Sequence, residues 1–363
     1  KYLHRGKGAY AWDVDQNKYL DYVMGCQPII LGYADPDVNK AVVEQLKLGS
    51  TFSLMNKLEI DVTELLIDKI PCAEAARFGK NGADVTTVAV RVARSVTGRD
   101  HIAYCGYHGW HDWYIANTDL NSGIPKFNQK LAHSFNYNDL DSLEKIFKKN
   151  PDKVACVIME PLTILEPACY GPKNCKKKGC KNFCQKNFLS EVKKMAHHHG
   201  ALLIFDEIIT GFRFSLGGAQ ELTNVTPDLA TFAKAISNAI PLSAIVGKKE
   251  YMSELSNTFF SFTYGGDCIG LSAAKACIPK LEKENVPRHL SIVGTKLKEG
   301  FNKLAKKHNL QEFIECIGYP CRSIISFNGQ NKYDDLEIKS FFQQELIRRG
   351  ILWAAYHALS WSH

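Results

Sequence analysis

Apolar and polar residues alternate from Gly8 to Tyr22 around a central Asp15-Gln16-Asn17-Lys18. A period of two around a run of turn formers predicts a hairpin. Beyond it the period lengthens. Pro36 to about Leu48 reads as a helix, and a second helix sets Leu58, Val62, Leu65 and Leu66 on one face. Helical spacing recurs at Val85, Val88 and Val92, and at Leu143, Ile146 and Phe147 behind a cap of Asn138 and Asp139. It returns at Phe188, Val192 and Met195, and again from about Arg288 to His308 through Leu290, Val293, Leu297, Phe301 and Leu304. Between these stripes lie short, mostly apolar runs: Ile102–Cys105, Val154–Met159, Leu202–Phe205 and Leu242–Val246. Such runs are strands covered on both faces, so the pattern predicts an α/β fold on a mainly parallel sheet.

The ends of these runs carry the candidate chemistry. Leu202–Phe205 stops at Asp206 and Glu207, and Val154–Met159 stops at Glu160. Ligands of open α/β sheets bind at such strand ends. Lys234 follows Asp206 by twenty-eight residues and has four uncharged residues on either side. A lysine in that setting is partly desolvated, which lowers its pKa and suits it to Schiff-base chemistry; the competing reading is a lysine snorkelling from a strand end. The pairing with Asp206 favours chemistry, because pyridoxal phosphate takes a lysine at its aldehyde and an acid at its ring nitrogen. Asn81-Gly82-Ala83, ahead of the Val85 stripe, is a small-residue turn that leaves backbone N–H groups open to a phosphate. Tyr107 offers an aromatic face to a planar ring. His108, His111 and Asp112 are too crowded to encircle a metal.

The segments Phe205-Asp206-Glu207-Ile208-Ile209-Thr210-Gly211-Phe212-Arg213, Gly217-Gly218-Ala219-Gln220, Thr226-Pro227-Asp228-Leu229 and Lys234 followed by Ile240-Pro241 resemble the class III, fold type I aminotransferases. Within them they resemble the glutamate-1-semialdehyde aminomutase group, and the likeness extends over nearly the whole chain. The resemblance implies a doubly wound, mainly parallel large domain and a small α+β domain assembled from both termini. Residues 1–55 would serve the small domain and the pocket, 56–285 the large domain, and 286–363 would begin the C-terminal small domain. It implies pyridoxal 5'-phosphate bound to Lys234, with Asp206 at the ring nitrogen and Tyr107 and Ile208 on the two ring faces. His108 belongs to the matching Tyr-His-Gly motif, and Glu160 to the hydrogen-bond network around Asp206. Gly82, Ala83 and, from a neighbouring subunit, Thr263 would anchor the phosphate, which implies a homodimer with shared sites. The loop departs from the family's Ser-Gly-Thr, since Ala83 has no hydroxyl to offer.

Amino-group transfer between a donor and a keto or aldehyde intermediate is therefore expected. The aminomutase reaction is the alternative, favoured by Gly217 to Gln220, and a catalytically silent binding protein lies outside both. The altered phosphate loop, and the replacement of a short loop by residues 165–187, point to a substrate other than that of the aminomutases.

Composition narrows the setting. No run of eighteen apolar residues occurs, so no membrane span is expected, and no secretory signal is evident. The formal charge of +7 is local, because Lys173 to Lys194 contains eight lysines against one glutamate. Without an aromatic ladder or motif beside it, that patch reads as a solvated face and not as a nucleic-acid surface. Twelve cysteines in so long a chain point to a reducing cytoplasm. Cys169, Cys175, Cys180 and Cys184 sit together on the insertion and offer four thiolates to zinc or an iron–sulfur cluster. Their spacing fits no CxxC knuckle, so free thiols are the preferred reading. The sequence ends where a family member would still have a strand and terminal helices to form, so the chain is expected to be incomplete.

Overall fold

A computed structural model describes residues 2–171, 186–329, 334–354 and 356–363. Of the four cysteines of the insertion, Cys169 is described, and Cys175, Cys180 and Cys184 lie outside the described residues. The described strands are β1 Leu3–Lys7, β2 Tyr10–Asp13, β3 Lys18–Asp21, β4 Ala75–Gly79, β5 His101–Cys105, β6 Ala132–Ser134 and β7 Val154–Met159. After them come β8 Leu202–Asp206, β9 Leu229–Phe232, β10 Ser243–Gly247, β11 Ile314–Tyr319, β12 Arg322–Phe327, β13 Ile351–Leu352 and β14 Tyr356–His357.

Seven of these form the main sheet in the order β4-β10-β9-β8-β7-β5-β6. All run parallel except β10, which is antiparallel to both β4 and β9. Every residue of β7 and β8 is buried, as expected of strands covered on both faces. The two-residue period of a strand then divides them between two cores. Val157, Met159, Leu203 and Phe205 face Leu271 and Ile278 of the helix Cys268–Lys283. Cys156, Ile158, Leu202 and Ile204 face Val85, Val88 and Val92 of the helix Gly82–Thr97.

Two smaller sheets flank this body. The N-terminal hairpin extends to a sheet in the order β1-β2-β3-β13, with β13 parallel to β3, and β11-β12-β14 form another. The last described segment docks on residues 22–31: Ala358 N donates to Tyr22 O at 2.8 Å, and Trp361 N to Ile30 O at 2.8 Å. Arg213, fully buried, fastens both pieces by donating to Leu359 O at 2.9 Å and to Gln27 O at 2.8 Å. The 22–31 segment thereby holds Pro28 over the C-terminal edge of the main sheet.

Candidate active site

Strands β4, β7, β8 and β9 end on one edge, and the residues just beyond them enclose a cavity of about 340 Å³. Lys80 to Ala83 follow β4, Glu160 follows β7, Asp206 ends β8, and Lys234 lies two residues past β9. Tyr107 and Ile208 also line the cavity, as do Trp110 and Ile240.

Lys234 takes φ +47, the left-handed region that disfavours a side chain, at the start of a short turn of 3-10 helix. Its amine has no hydrogen-bond or ion-pair partner among the described residues. Burial holds its pKa below the ordinary lysine value, while the Asp206 carboxylate draws it partly back. A larger share of neutral amine than in a free lysine results, which is what nucleophilic use requires.

Asp206 is held from behind. His108 Nδ1 lies 2.7 Å from Asp206 Oδ2, and because a carboxylate only accepts, Nδ1 is the donor. The imidazole is itself boxed by Trp113, stacked at 6.2 Å, and by Tyr114 at 5.5 Å and Tyr104 at 6.4 Å, both edge-on. Asp206 Oδ1 accepts from Ile208 N at 3.2 Å. The Thr231 hydroxyl, 3.4 Å away, also donates to Oδ1, so the carboxylate is held from several sides while it lines the cavity.

Glu160 accepts from Tyr107 N at 3.1 Å and pairs with Arg322 at 2.8 Å. Burial pushes its pKa up, but the Arg322 charge, the Tyr107 N–H and His108 outweigh it and hold the carboxyl below its usual value. Glu207 points the other way. It is fully buried and accepts from Ala219 N at 2.8 Å, Gln220 N at 3.0 Å and the Thr210 hydroxyl. A Cβ on Gly218, whose φ is +80, would stand 2.7 Å from the Glu207 carboxyl carbon. Gln220 in turn accepts from Cys72 N at 2.9 Å. Gly217-Gly218-Ala219-Gln220 is thus a brace behind the site and does not line the cavity.

The phosphate end is formed by the N-terminus of the helix Gly82–Thr97. Asp84 turns back to accept from Lys80 N at 3.1 Å and Asn81 N at 2.7 Å, which leaves the N–H groups of Gly82 and Ala83 without partners among the described residues. A Cβ at position 82 would come within 2.6 Å of Ile208 Cδ1, so glycine lets the loop and the Ile208 side chain approach without the isoleucine shifting. Two open N–H donors, an unpartnered buried amine, an anchored carboxylate and an aromatic wall are the donor set pyridoxal phosphate needs, and the residues present fit it.

Two of the expected residues stand apart from the cavity. His108 reaches it only through Asp206, and Thr263 is exposed and does not line this chain's own cavity. Sequence reasoning missed Arg322, which arrives from the distant strand β12 and carries no local signal. It passed over Trp110, although that residue directly follows Tyr107-His108-Gly109. Among the described residues no three His, Cys, Asp or Glu side chains converge as a metal site.

The model of the family described as aminotransferase class-III matches residues 2–331. The chain belongs to that family. This class-III aminotransferase is 36% identical over 359 residues to a 3-aminobutyryl-CoA aminotransferase of Cloacimonas acidaminovorans, covering 98% of this chain and 83% of the relative. It is 34% identical over 373 residues to a glutamate-1-semialdehyde 2,1-aminomutase of Methanocaldococcus jannaschii, covering 96% and 83%. Among solved structures, an omega-transaminase from Sphaerobacter thermophilus superposes with a TM-score of 0.85 at 26% identity, covering 100% of this chain and 86% of that one. The aminotransferase is accordingly a pyridoxal-phosphate enzyme of fold type I, and no helix among its described residues is long and apolar enough to cross a membrane.

Proposed function

We propose that this aminotransferase moves an amino group between two separate molecules, a donor and a keto- or aldehyde-bearing biosynthetic intermediate, with Lys234 as the amine that holds the cofactor. One observation carries the reading: a desolvated, unpartnered amine and an anchored carboxylate share a 340 Å³ cavity with two open helix N–H groups. Pyridoxal phosphate, when bound, supplies a carbonyl carbon for amine exchange and a ring that accepts electrons from the substrate carbon. Lys234 Nζ, tethered beside the reacting centre, takes the proton from the substrate carbon and returns it. Asp206 holds a proton at the ring nitrogen, and His108 fixes the direction of that carboxylate. Tyr107 and Ile208, which line the cavity, would confine the ring, Gly82 and Ala83 would donate to the phosphate, and Glu160, kept ionised by Arg322, adds a negative charge beside that of Asp206. Transfer between two molecules, as the name of the 3-aminobutyryl-CoA aminotransferase relative implies, is preferred to the aminomutase reaction because the phosphate loop, with Ala83, and the segment after Glu160 depart from the family's pattern.

We further infer a homodimer. Trp110 is exposed at the cavity mouth and Tyr264 in the groove beside it, an apolar surface of the kind a second copy covers. Thr263 would then serve the partner's phosphate. A cytoplasmic setting is supported by the free thiols Cys72, Cys105, Cys156 and Cys277, all buried.

An absorbance spectrum of wild type beside Lys234→Ala, with candidate donors added, tests the central reading. The wild type should show a visible band that one donor shifts to shorter wavelength, while Lys234→Ala lacks the shift and loses about 10²–10⁴-fold in turnover. A protein that takes up no cofactor even after incubation with it would overturn the assignment.

A further inference from the structure

Ala83 leaves the phosphate loop without the hydroxyl that its relatives' pattern has, and another donor stands at the same end of the cavity. Lys80 immediately precedes Asn81-Gly82-Ala83 and lines the cavity with them. Its side chain is largely covered, at 17% exposure, so its direction is fixed and it is not a solvated lysine. Nζ donates to Pro241 O at 2.9 Å and to the Asp267 carboxylate. Asp267 also accepts from Gly270 N at 3.0 Å, as cap of the helix Cys268–Lys283. A Cβ on Gly270 would sit 3.3 Å from Lys80 Nζ and 2.6 Å from Pro241 O, so glycine there is what gives the ammonium its place. An ammonium has three donors, and these contacts use two.

Charge argues in the same direction. A phosphate monoester brings close to two negative charges near neutral pH. Two backbone N–H groups and a helix dipole offer only partial charge against it. Of the two lysines lining the cavity, Lys234 is needed as the amine. We propose that Lys80 is the cation of the cofactor phosphate: its third N–H replaces the bond lost at Ala83, and Asp267 holds the ammonium in position. Asp267 would then oppose phosphate binding electrostatically while ordering the group that promotes it.

This inference rests on the cofactor reading, and the experiment separates the two. Apoprotein is titrated with pyridoxal phosphate and, separately, with pyridoxal, which lacks the phosphate; both are followed by absorbance. In Lys80→Met the Kd for pyridoxal phosphate should rise about 10- to 100-fold, the range for losing one charge-assisted hydrogen bond, while that for pyridoxal stays within about twofold. Asp267→Asn keeps an oxygen for the Gly270 N–H but removes the competing charge, and should tighten pyridoxal phosphate about two- to tenfold. Equal weakening of both ligands in Lys80→Met, or an unchanged Kd for pyridoxal phosphate, would overturn the proposal, since Lys80 would then be a purely structural clamp. Should Lys80→Met fail to fold, Lys80→Gln, which keeps one donor without the charge, is read by the same ratio. If wild type binds neither ligand, the cofactor reading itself has failed.

Discussion

Lys234 and Asp206 share a cavity, but they owe their properties to different neighbours. Lys234 gains reactivity from missing partners, whereas Asp206 gains direction from a present one. Removing that partner should therefore act on turnover more than on retention of the cofactor. For His108→Phe, which fills the aromatic box formed by Trp113, Tyr114 and Tyr104, we expect kcat to fall by about 10- to 100-fold, with the Kd for pyridoxal phosphate moving less than about fivefold. Stopped-flow half-reactions and equilibrium titration measure the two quantities independently, and equal losses in both would mean that His108 only supports the fold. Glu160 makes a complementary case. Arg322→Met would leave its carboxylate buried without its cation, and a rise in the acid limb of the pH–rate profile is the expected outcome, because the charge that outweighed burial is gone.

At the level of elements, the site is made by strand ends and by the turns that follow them, and those turns tolerate little. Gly218 is the sharpest instance: with φ +80 and Glu207 within 2.7 Å of a notional Cβ, Gly218→Ala combines backbone strain with a clash against a buried carboxyl. A loss of about 2–4 kcal/mol in a urea titration is expected, whereas Gly300→Ala, inside the helix Val286–Lys307 where a Cβ meets nothing within 4 Å, should gain about 0.5–1 kcal/mol. The same elements explain what was legible beforehand. β7 and β8 announce themselves because burial on both faces forbids polar residues, so their apolar runs end where the chain meets the cavity. The helices Pro36–Leu48 and Gly82–Thr97 have a clear stripe or a capped start, and the hairpin β2-β3 has both its alternation and its turn. β9, Leu229-Ala230-Thr231-Phe232, is as short as the run Leu202–Phe205 but is interrupted by Thr231, so it does not stand out as an unbroken apolar run. β4 was missed because it runs Ala75-Ala76-Arg77-Phe78-Gly79 at the sheet's edge, where one-sided cover permits an arginine. Lys234, Asp206 and the Gly82 turn stood out as local signals, whereas Arg322, the His108–Asp206 bond and the Lys80–Asp267 bridge join residues from 98 to 187 positions apart and leave no local trace.

On the scale of the whole molecule, a buried histidine inside one of the small sheets makes stability depend on pH. His357, in β14, is 4% exposed, lies 3.0 Å from Ser323 Oγ, and burial lowers its pKa to about 4. A histidine whose folded pKa lies below its unfolded value adds stability that is present above the unfolded pKa and is lost as pH falls toward the folded one. Stability should therefore decline between about pH 6.5 and 4, with His357 responsible for up to about 3 kcal/mol, and His357→Gln should flatten the decline in thermal or urea unfolding across that window. The Arg213 clamp does not titrate in this range, so Arg213→Met should lower stability at every pH in the window while leaving the slope alone. The backbone at Lys234 has a consequence for the molecule as a whole. A side chain at φ +47 costs roughly 1 kcal/mol that asparagine, at ease in that region, largely escapes. Apoprotein carrying Lys234→Asn should melt slightly higher than wild-type apoprotein, by on the order of 1–2 °C, though it cannot turn over. Mutation released from selection for turnover would thus find a more stable protein by discarding its central amine, so stability alone gives this lysine no reason to persist.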